Sequence, residues 1–275
     1  MRAFQRPRKN ADSDEAFSYT DTGFLFVSVE TQHMSVRSYL RSPVSIAWTF
    51  IGALGAVCIS IVTILTWDLI VRSTTVITPA ILDGFGGFVV VSLLVSLAVF
   101  LVGLLWLPCS LAIAYAVGSL HHGVSVSFGD SITLLRRRMK PLYRLVKTRL
   151  AVGPIADRLL TEDDVAPIEI AVGCDAFVVP ALALDASTLR LAVGRANQAV
   201  PQPGRERTLL VGLGVTVPLL VGSVAVGTFT APDLSVDTRL LAVGSIAIGA
   251  VFTATLDIVW RTETYVQQDL DDGFY

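Results

Sequence analysis

The sequence predicts an all-α, polytopic membrane protein in which four spans form two helical hairpins joined by a cytoplasmic, interfacial region. Three observations predict it. Of the 275 residues, 53% are hydrophobic and only 16% are charged, whereas soluble domains carry about 25% charged residues. A mean hydropathy of +0.65 calls for a second solvent, and a bilayer supplies one. The cations are gathered into blocks separated by long uncharged runs, the pattern that positive inner loops impose on a multi-span chain.

Residues 1–42 are expected to form a cytoplasmic N-terminal segment. Its first 23 residues, "MRAFQRPRKNADSDEAFSYTDTG", lack the apolar core of a cleavable signal. The first hairpin is expected over 43–118. Its first span, 43–70, is charged only at Asp68, and its second, 88–117, holds no charge over 30 residues. Such a run is roughly 45 Å of helix against a hydrocarbon core of ~30 Å, so tilt or a kink at Pro108 must absorb the excess.

Residues 119–207 form a basic cytoplasmic region. Within it, 166–186 ("APIEIAVGCDAFVVPALALDA") is apolar but contains Glu169, Asp175 and Asp185, each costing about 2.5–3.5 kcal/mol near a helix centre. A lone crossing here would also carry Arg190, Arg195, Arg205 and Arg207 outside. Restoring the charge pattern would need 140–160 to cross as well. That stretch holds Arg144, Lys147, Arg149, Asp157 and Arg158, at a cost of order 10 kcal/mol. The expectation is therefore a pair of elements lying on or dipping into the membrane, with a re-entrant segment near 166–186. Six membrane segments form the alternative.

The second hairpin is expected over 208–260, with spans 208–229 and 240–259 and Asp257 in the last turn; an acidic tail, 261–275, ends the chain. Six cations precede residue 43, twelve lie in 119–207 and one follows the last span, while only Arg72 and Arg239 border the short connections. Nineteen of the 21 cations thus fit an arrangement with both termini and the central region inside. The expected location is the plasma membrane.

The stretch "RRRMKPLYRLVKTR", residues 136–149, holds Arg136, Arg137, Arg138, Lys140, Arg144, Lys147 and Arg149 and no acid. Leu135, Met139, Leu142, Val146 and Leu150 recur at helical spacing, and Arg136, Lys140, Arg144 and Lys147 make a cationic stripe. A basic amphipathic helix beside spans reads as interfacial, with cations toward lipid phosphates. Pro141 is expected to kink or split it. The plainer reading, preferred over a specific lipid or nucleic-acid site, is that these cations hold the loop inside. Voltage sensing would need arginines within a span, and nucleic acid is not an expected partner.

Other signals are sparse. Cys58, Cys109 and Cys174 lack paired spacing and read as small apolar fillers. His121 and His122 have no nearby carboxylate or Cys to complete a metal set, and "DLDDGFY" lacks the alternation of a calcium loop. No HExxH, P-loop, GxGxxG or Ser/His/Asp pattern is present. No catalytic residue, cofactor or metal is expected, and the chain is expected not to be an enzyme. The spans lack the central charges of ion-coupled carriers. Gly52 with Ala56, and the row Ser245, Gly249, Thr253 and Asp257, suit close helix packing. Arg outnumbers Lys 18 to 3 and Asp outnumbers Glu 17 to 6, usage that points to a GC-rich, salt-adapted archaeal genome.

Two stretches carry a family likeness. In "SLAIAYAVGSLHHGVSVSFGDSITLLRRRM" a span is followed by a polar start at Phe128, Gly129 and Asp130 and a basic helix; "CDAFVVPALALDASTLRLAVGRANQAV" joins an apolar segment to a second amphipathic helix. Over about 110–200 the chain resembles a family of archaeal and bacterial multi-pass membrane proteins without assigned activity. The resemblance implies a six-span architecture and a membrane location. The charged "PLYRLVKTRLAVGPIADRL" departs from the apolar segment those proteins carry there. The leading expectation of function is a non-enzymatic scaffold or accessory protein. Its basic face would meet anionic lipid head groups, a second copy of the chain or another membrane protein. A small oligomeric transporter or channel is the alternative.

Overall fold

The computed structural model describes residues 39–77, 85–151, 160–161, 164–170, 174–199, 214, 216–222 and 238–271. Every regular element among them is helical: α1 (Pro43–Ile77), α2 (Phe85–His121), α3 (Phe128–Leu150), α4 (Val178–Leu184), α5 (Leu189–Gln198) and α6 (Thr238–Asp271), with 3₁₀ turns at Pro167–Glu169 and Cys174–Phe177. This is the result expected of long apolar runs in lipid, where a helix satisfies its own backbone hydrogen bonds and an open strand cannot. Three helices are long and apolar enough to cross a membrane, over Pro43–Ser73, Phe85–His121 and Leu240–Gln268. They match the spans expected at 43–70, 88–117 and 240–259. The span expected at 208–229 falls mostly outside the described residues, of which 216–222 are helical.

Small residues set how α1, α2 and α6 meet. A Cβ added at Gly52 would lie 3.1 Å from the Trp106 ring and 3.6 Å from Val251, and one at Gly55 would run into Leu105. Ala56 beside them is fully buried. Glycine here lets bulky side chains of one helix reach the backbone of the next. One turn away, the Thr255 hydroxyl donates to the Thr49 hydroxyl at 3.4 Å. These pairings run in opposite senses along α1 and its neighbours, so α2 and α6 are both antiparallel to α1 and parallel to each other.

Burial divides the bundle along its length. Towards the α1 C-terminus and α2 N-terminus, large apolar side chains such as Leu65, Leu69, Phe88, Leu93 and Val99 are exposed. At the other end, Cys109 to Val117 of α2 and Leu256 to Val266 of α6 join a core with α3, α4 and α5. We call this end the cap. At roughly 55 Å for the 37 residues of α2 and 51 Å for the 34 of α6, both helices exceed a ~30 Å hydrocarbon layer. Their surplus length is what the cap encloses.

The apolar segment at 166–186 finds its explanation here. Its helical core, Cys174–Leu184, is roughly 16 Å long, about half of what a crossing requires. Val178 to Ala183 are all buried against α2 and α5. A Cβ at Gly118 would fall 2.6 Å from both Leu184 methyls. Its hydrophobicity serves a protein core. The expected split at Pro141 is absent: α3 continues through that residue, as α2 does through Pro108. One missing N–H is tolerated because Pro141, Leu142 and Leu145 are buried together on one face.

Candidate membrane-surface site

The turn between α2 and α3 aims the basic helix. α2 ends in a Schellman motif: Val124 N–H donates to Ser119 O at 2.9 Å, Gly123 N–H to Leu120 O at 3.0 Å, and Gly123 takes the positive φ of 74° that the motif needs. The chain then runs to Ser127, which opens α3 with a capping box. Asp130 N–H donates to Ser127 Oγ at 3.2 Å, and Ser127 N–H returns a bond to the Asp130 carboxylate at 2.9 Å. The Ser127 hydroxyl and N–H hold the Asp130 carboxyl below its usual pKa.

From there α3 is anchored beside α1. Trp48 Nε1 donates to the buried Ser131 hydroxyl at 2.9 Å, which in turn donates to Phe128 O at 2.7 Å. The Trp48 and Phe128 rings stack with centroids 5.1 Å apart. Leu135, Leu142, Leu145 and Thr148 complete the buried face. At the far end the Thr148 hydroxyl donates to Val165 O at 2.9 Å.

The sequence-predicted residues separate into two groups. Lys147 Nζ lies 2.6 Å and Arg144 Nε 3.6 Å from the buried Asp164 carboxylate. The same carboxylate accepts from the Thr161 N–H at 3.0 Å and hydroxyl at 2.8 Å. Lys147 first, then Thr161, hold Asp164 far below the usual carboxylate range. Arg136, Arg137, Lys140 and Arg149 are exposed and Arg138 is half-buried. Burial and the adjacent Arg137 lower the Arg138 pKa, and its Nε is buried with no hydrogen-bond partner among the described residues.

The expected apolar stripe also divides. Leu135 and Leu142 enter the cap core, whereas Met139 (56% exposed), Tyr143 (65%) and Leu150 (44%) lie on the outer surface with partly exposed Val146. Residues 139, 143, 146 and 150 follow i, i+4, i+7, i+11 spacing and share one face. Arg136 and Lys140 border it. The helix therefore has a core face, an exposed apolar stripe and a flank of cations.

Sequence reasoning missed the polar ties that hold the cap on the spans. His121 Nε2 sits 3.3 Å from the buried Glu263 carboxylate, and Tyr265 donates to Asp185 at 2.5 Å. Arg261 pairs with Asp257, one turn earlier, at 2.5 Å. The acid Glu263 in the run "RTETY", directly after the apolar stretch 240–259, was the available signal. Matched against protein-family models, curated proteins and solved structures, the chain finds no match, so the likeness over 110–200 assigns no role to any residue.

Proposed function

We propose that the chain is a non-enzymatic membrane scaffold or accessory protein whose cap sits at the cytoplasmic face, with α3 embedded in the inner interface. The observation that carries this reading is the exposed Met139–Tyr143–Leu150 stripe beside Arg136 and Lys140. Apolar side chains in the acyl boundary with cations at the phosphates is the arrangement of an interfacial helix. Arg136, Arg137 and Lys140 then meet anionic head groups, while Arg144 and Lys147 serve the cap through Asp164. Trp48, stacked on Phe128, marks the inner interface, where aromatic residues concentrate.

Four spans remain the preferred threading. The shared direction of α2 and α6 favours a return crossing between residues 199 and 238. The apolar stretch 208–229 has the length for it. Helical Thr216 supports this, since a Cβ at Gly249 of α6 would lie 2.8 Å from Thr216 Cβ. The N-terminus of α1 and C-terminus of α6 both lie at the cap end, and the cation distribution favours that end inside.

Packing favours the scaffold over the transporter alternative. Contacts at Gly52, Gly55 and Ala56 close the described bundle tightly. The test is depth: Tyr143→Cys, in a chain whose three native cysteines are replaced by Ala, is spin-labelled in anionic nanodiscs. Contact with dissolved oxygen exceeding contact with a water-soluble nickel chelate is expected; the reverse would overturn the interfacial placement. Purification from native membranes should retain a stable protein partner, and a solitary chain with measurable solute flux in vesicles would favour the transporter.

A further inference from the structure

Arg138 stands on the buried side of α3. It lies three residues from Leu135, four from Leu142 and seven from Leu145, all buried, so the four share the stripe of a helix that packs on α2 and α5. Its side chain is half-buried, and its Nε is buried with no hydrogen-bond partner. None of the ion pairs among the described residues includes it. The residues one turn away, Leu134, Leu135, Pro141 and Leu142, are all apolar. The single acid of α3, Asp130, is engaged by Ser127, and Asp164 by Lys147, Arg144 and Thr161. The charge that acts on Arg138 is that of Arg137, of like sign.

A guanidinium keeps its proton throughout the physiological range, so burial cannot neutralise it. A charge drawn partly out of water without a counter-charge is costly, and a buried N–H without an acceptor adds the desolvation of that group. On the same helix Arg144 and Lys147 meet a carboxylate at 3.6 and 2.6 Å. Arg138 holds donors and meets no acceptor among the described residues.

We propose that Arg138 anchors a discrete site for a phosphate monoester, whose oxygens accept from its guanidinium fork while Arg137 adds a second positive charge. The planar fork of Arg matches two phosphate oxygens. A monoester carries about −1.5 to −2 at neutral pH, so it gains from both guanidinium groups where a singly charged diester or a chloride gains less. Arg136 and Lys140 stand two residues before and after Arg138, roughly 200° round the helix. The site is therefore separate from the flank assigned to lipid head groups, and it stands whether or not α3 rests in lipid. The monoester can be the head group of a phosphatidic-acid-type lipid at the edge of the cap, or a soluble phosphorylated compound.

The test titrates the full chain in a neutral maltoside detergent with inorganic phosphate, against sodium chloride of matched ionic strength. A saturable rise in unfolding temperature with phosphate, absent with chloride, is expected; equal rises would overturn the site. Arg138→Met should weaken the phosphate midpoint about 10-fold, the loss of one charge-assisted contact, and Arg138→Lys, which keeps the charge and loses the fork, should weaken it less. A wild-type midpoint in Arg138→Met would refute the proposal. The same variant gives a reading without ligand: in phosphate-free buffer it should unfold no earlier than wild type, because it removes an unpaired buried donor and keeps an apolar stem in its place. A clear loss of stability would show that the guanidinium already has an acceptor in the folded chain, which also counts against the site. Arg136→Gln combined with Lys140→Gln should leave the phosphate midpoint unchanged; a loss as large as that of Arg138→Met would mean a diffuse cationic field. Competition separates the two sources. Stronger displacement of phosphate by dihexanoyl phosphatidic acid than by glycerol phosphate identifies a lipid head group, and equal displacement identifies a soluble monoester.

Discussion

Gly249 and Gly103 are both helical glycines in spans, yet they stand in different surroundings. At Gly249 an added Cβ meets the stiff, β-branched Thr216; at Gly103 nothing lies within 4 Å. Gly249→Ala should destabilise the protein by about 1–3 kcal/mol through overpacking, while Gly103→Ala should be neutral or stabilise it by up to about 1 kcal/mol through helix propensity. Reversible unfolding in detergent measures both, and equal effects would refute the packing at Gly249. Asp164 offers a second test at this scale. Its pKa is lowered in the folded chain by Lys147 and Thr161, so its stabilisation is present above the unfolded value, about 4, and is lost as pH falls below it. The melting temperature should drop from pH 5 to pH 3 more steeply in the wild type than in Asp164→Asn. Parallel curves would mean that Asp164 is not the group responsible.

At the scale of elements, α3 depends on its start. Ser127→Ala removes the acceptor for Asp130 N–H and should cost about 0.5–2 kcal/mol, read as faster hydrogen exchange over 128–135 with the spans unaffected. Replacing Arg136, Arg137 and Lys140 together by Gln should weaken engagement of anionic over zwitterionic bilayers in a salt-dependent manner. The paired Lys147→Gln should instead act on cap stability. That division was not legible in the sequence. The stripe Leu135, Met139, Leu142, Val146 and Leu150 is visible as periodicity, and so is the basic character of the helix. Periodicity registers apolar side chains alike, whether they face protein or lipid, and the structure assigns Leu135 and Leu142 to the first and leaves Met139 and Leu150 outside. The apolar segment within 166–186 shows the same limit: its hydrophobicity matches that of a membrane element, and it is its contacts with α2 and α5 that reveal the core beside it. The spans of α1, α2 and α6 were legible because a length of apolar sequence suffices to define them. His121–Glu263 and Trp48–Ser131 were not, since each joins residues far apart in the chain and depends on how the helices pack.

For the whole molecule, the threading has a direct check. Single cysteines placed at Arg137 and at Ser73 in the cysteine-free chain should react with an impermeant reagent on opposite faces of sealed vesicles, Arg137 from the cytoplasmic side. Reaction of both from one face would refute the two-hairpin threading. This expectation is legible in the order of residues alone, because the wide separation of cation-rich and cation-poor connections belongs to the complete sequence and needs no knowledge of packing.

One consequence concerns the order in which the ribosome delivers the chain. α6 is the last of the described helices, yet it supplies Val251 to Gly52, Thr255 to Thr49, Glu263 to His121 and Tyr265 to Asp185. Until it emerges, the earlier elements hold apolar faces and polar side chains that await their counterparts. The contacts that α6 makes therefore form late in synthesis, and a nascent chain stalled before residue 238 should be a substrate for membrane quality control.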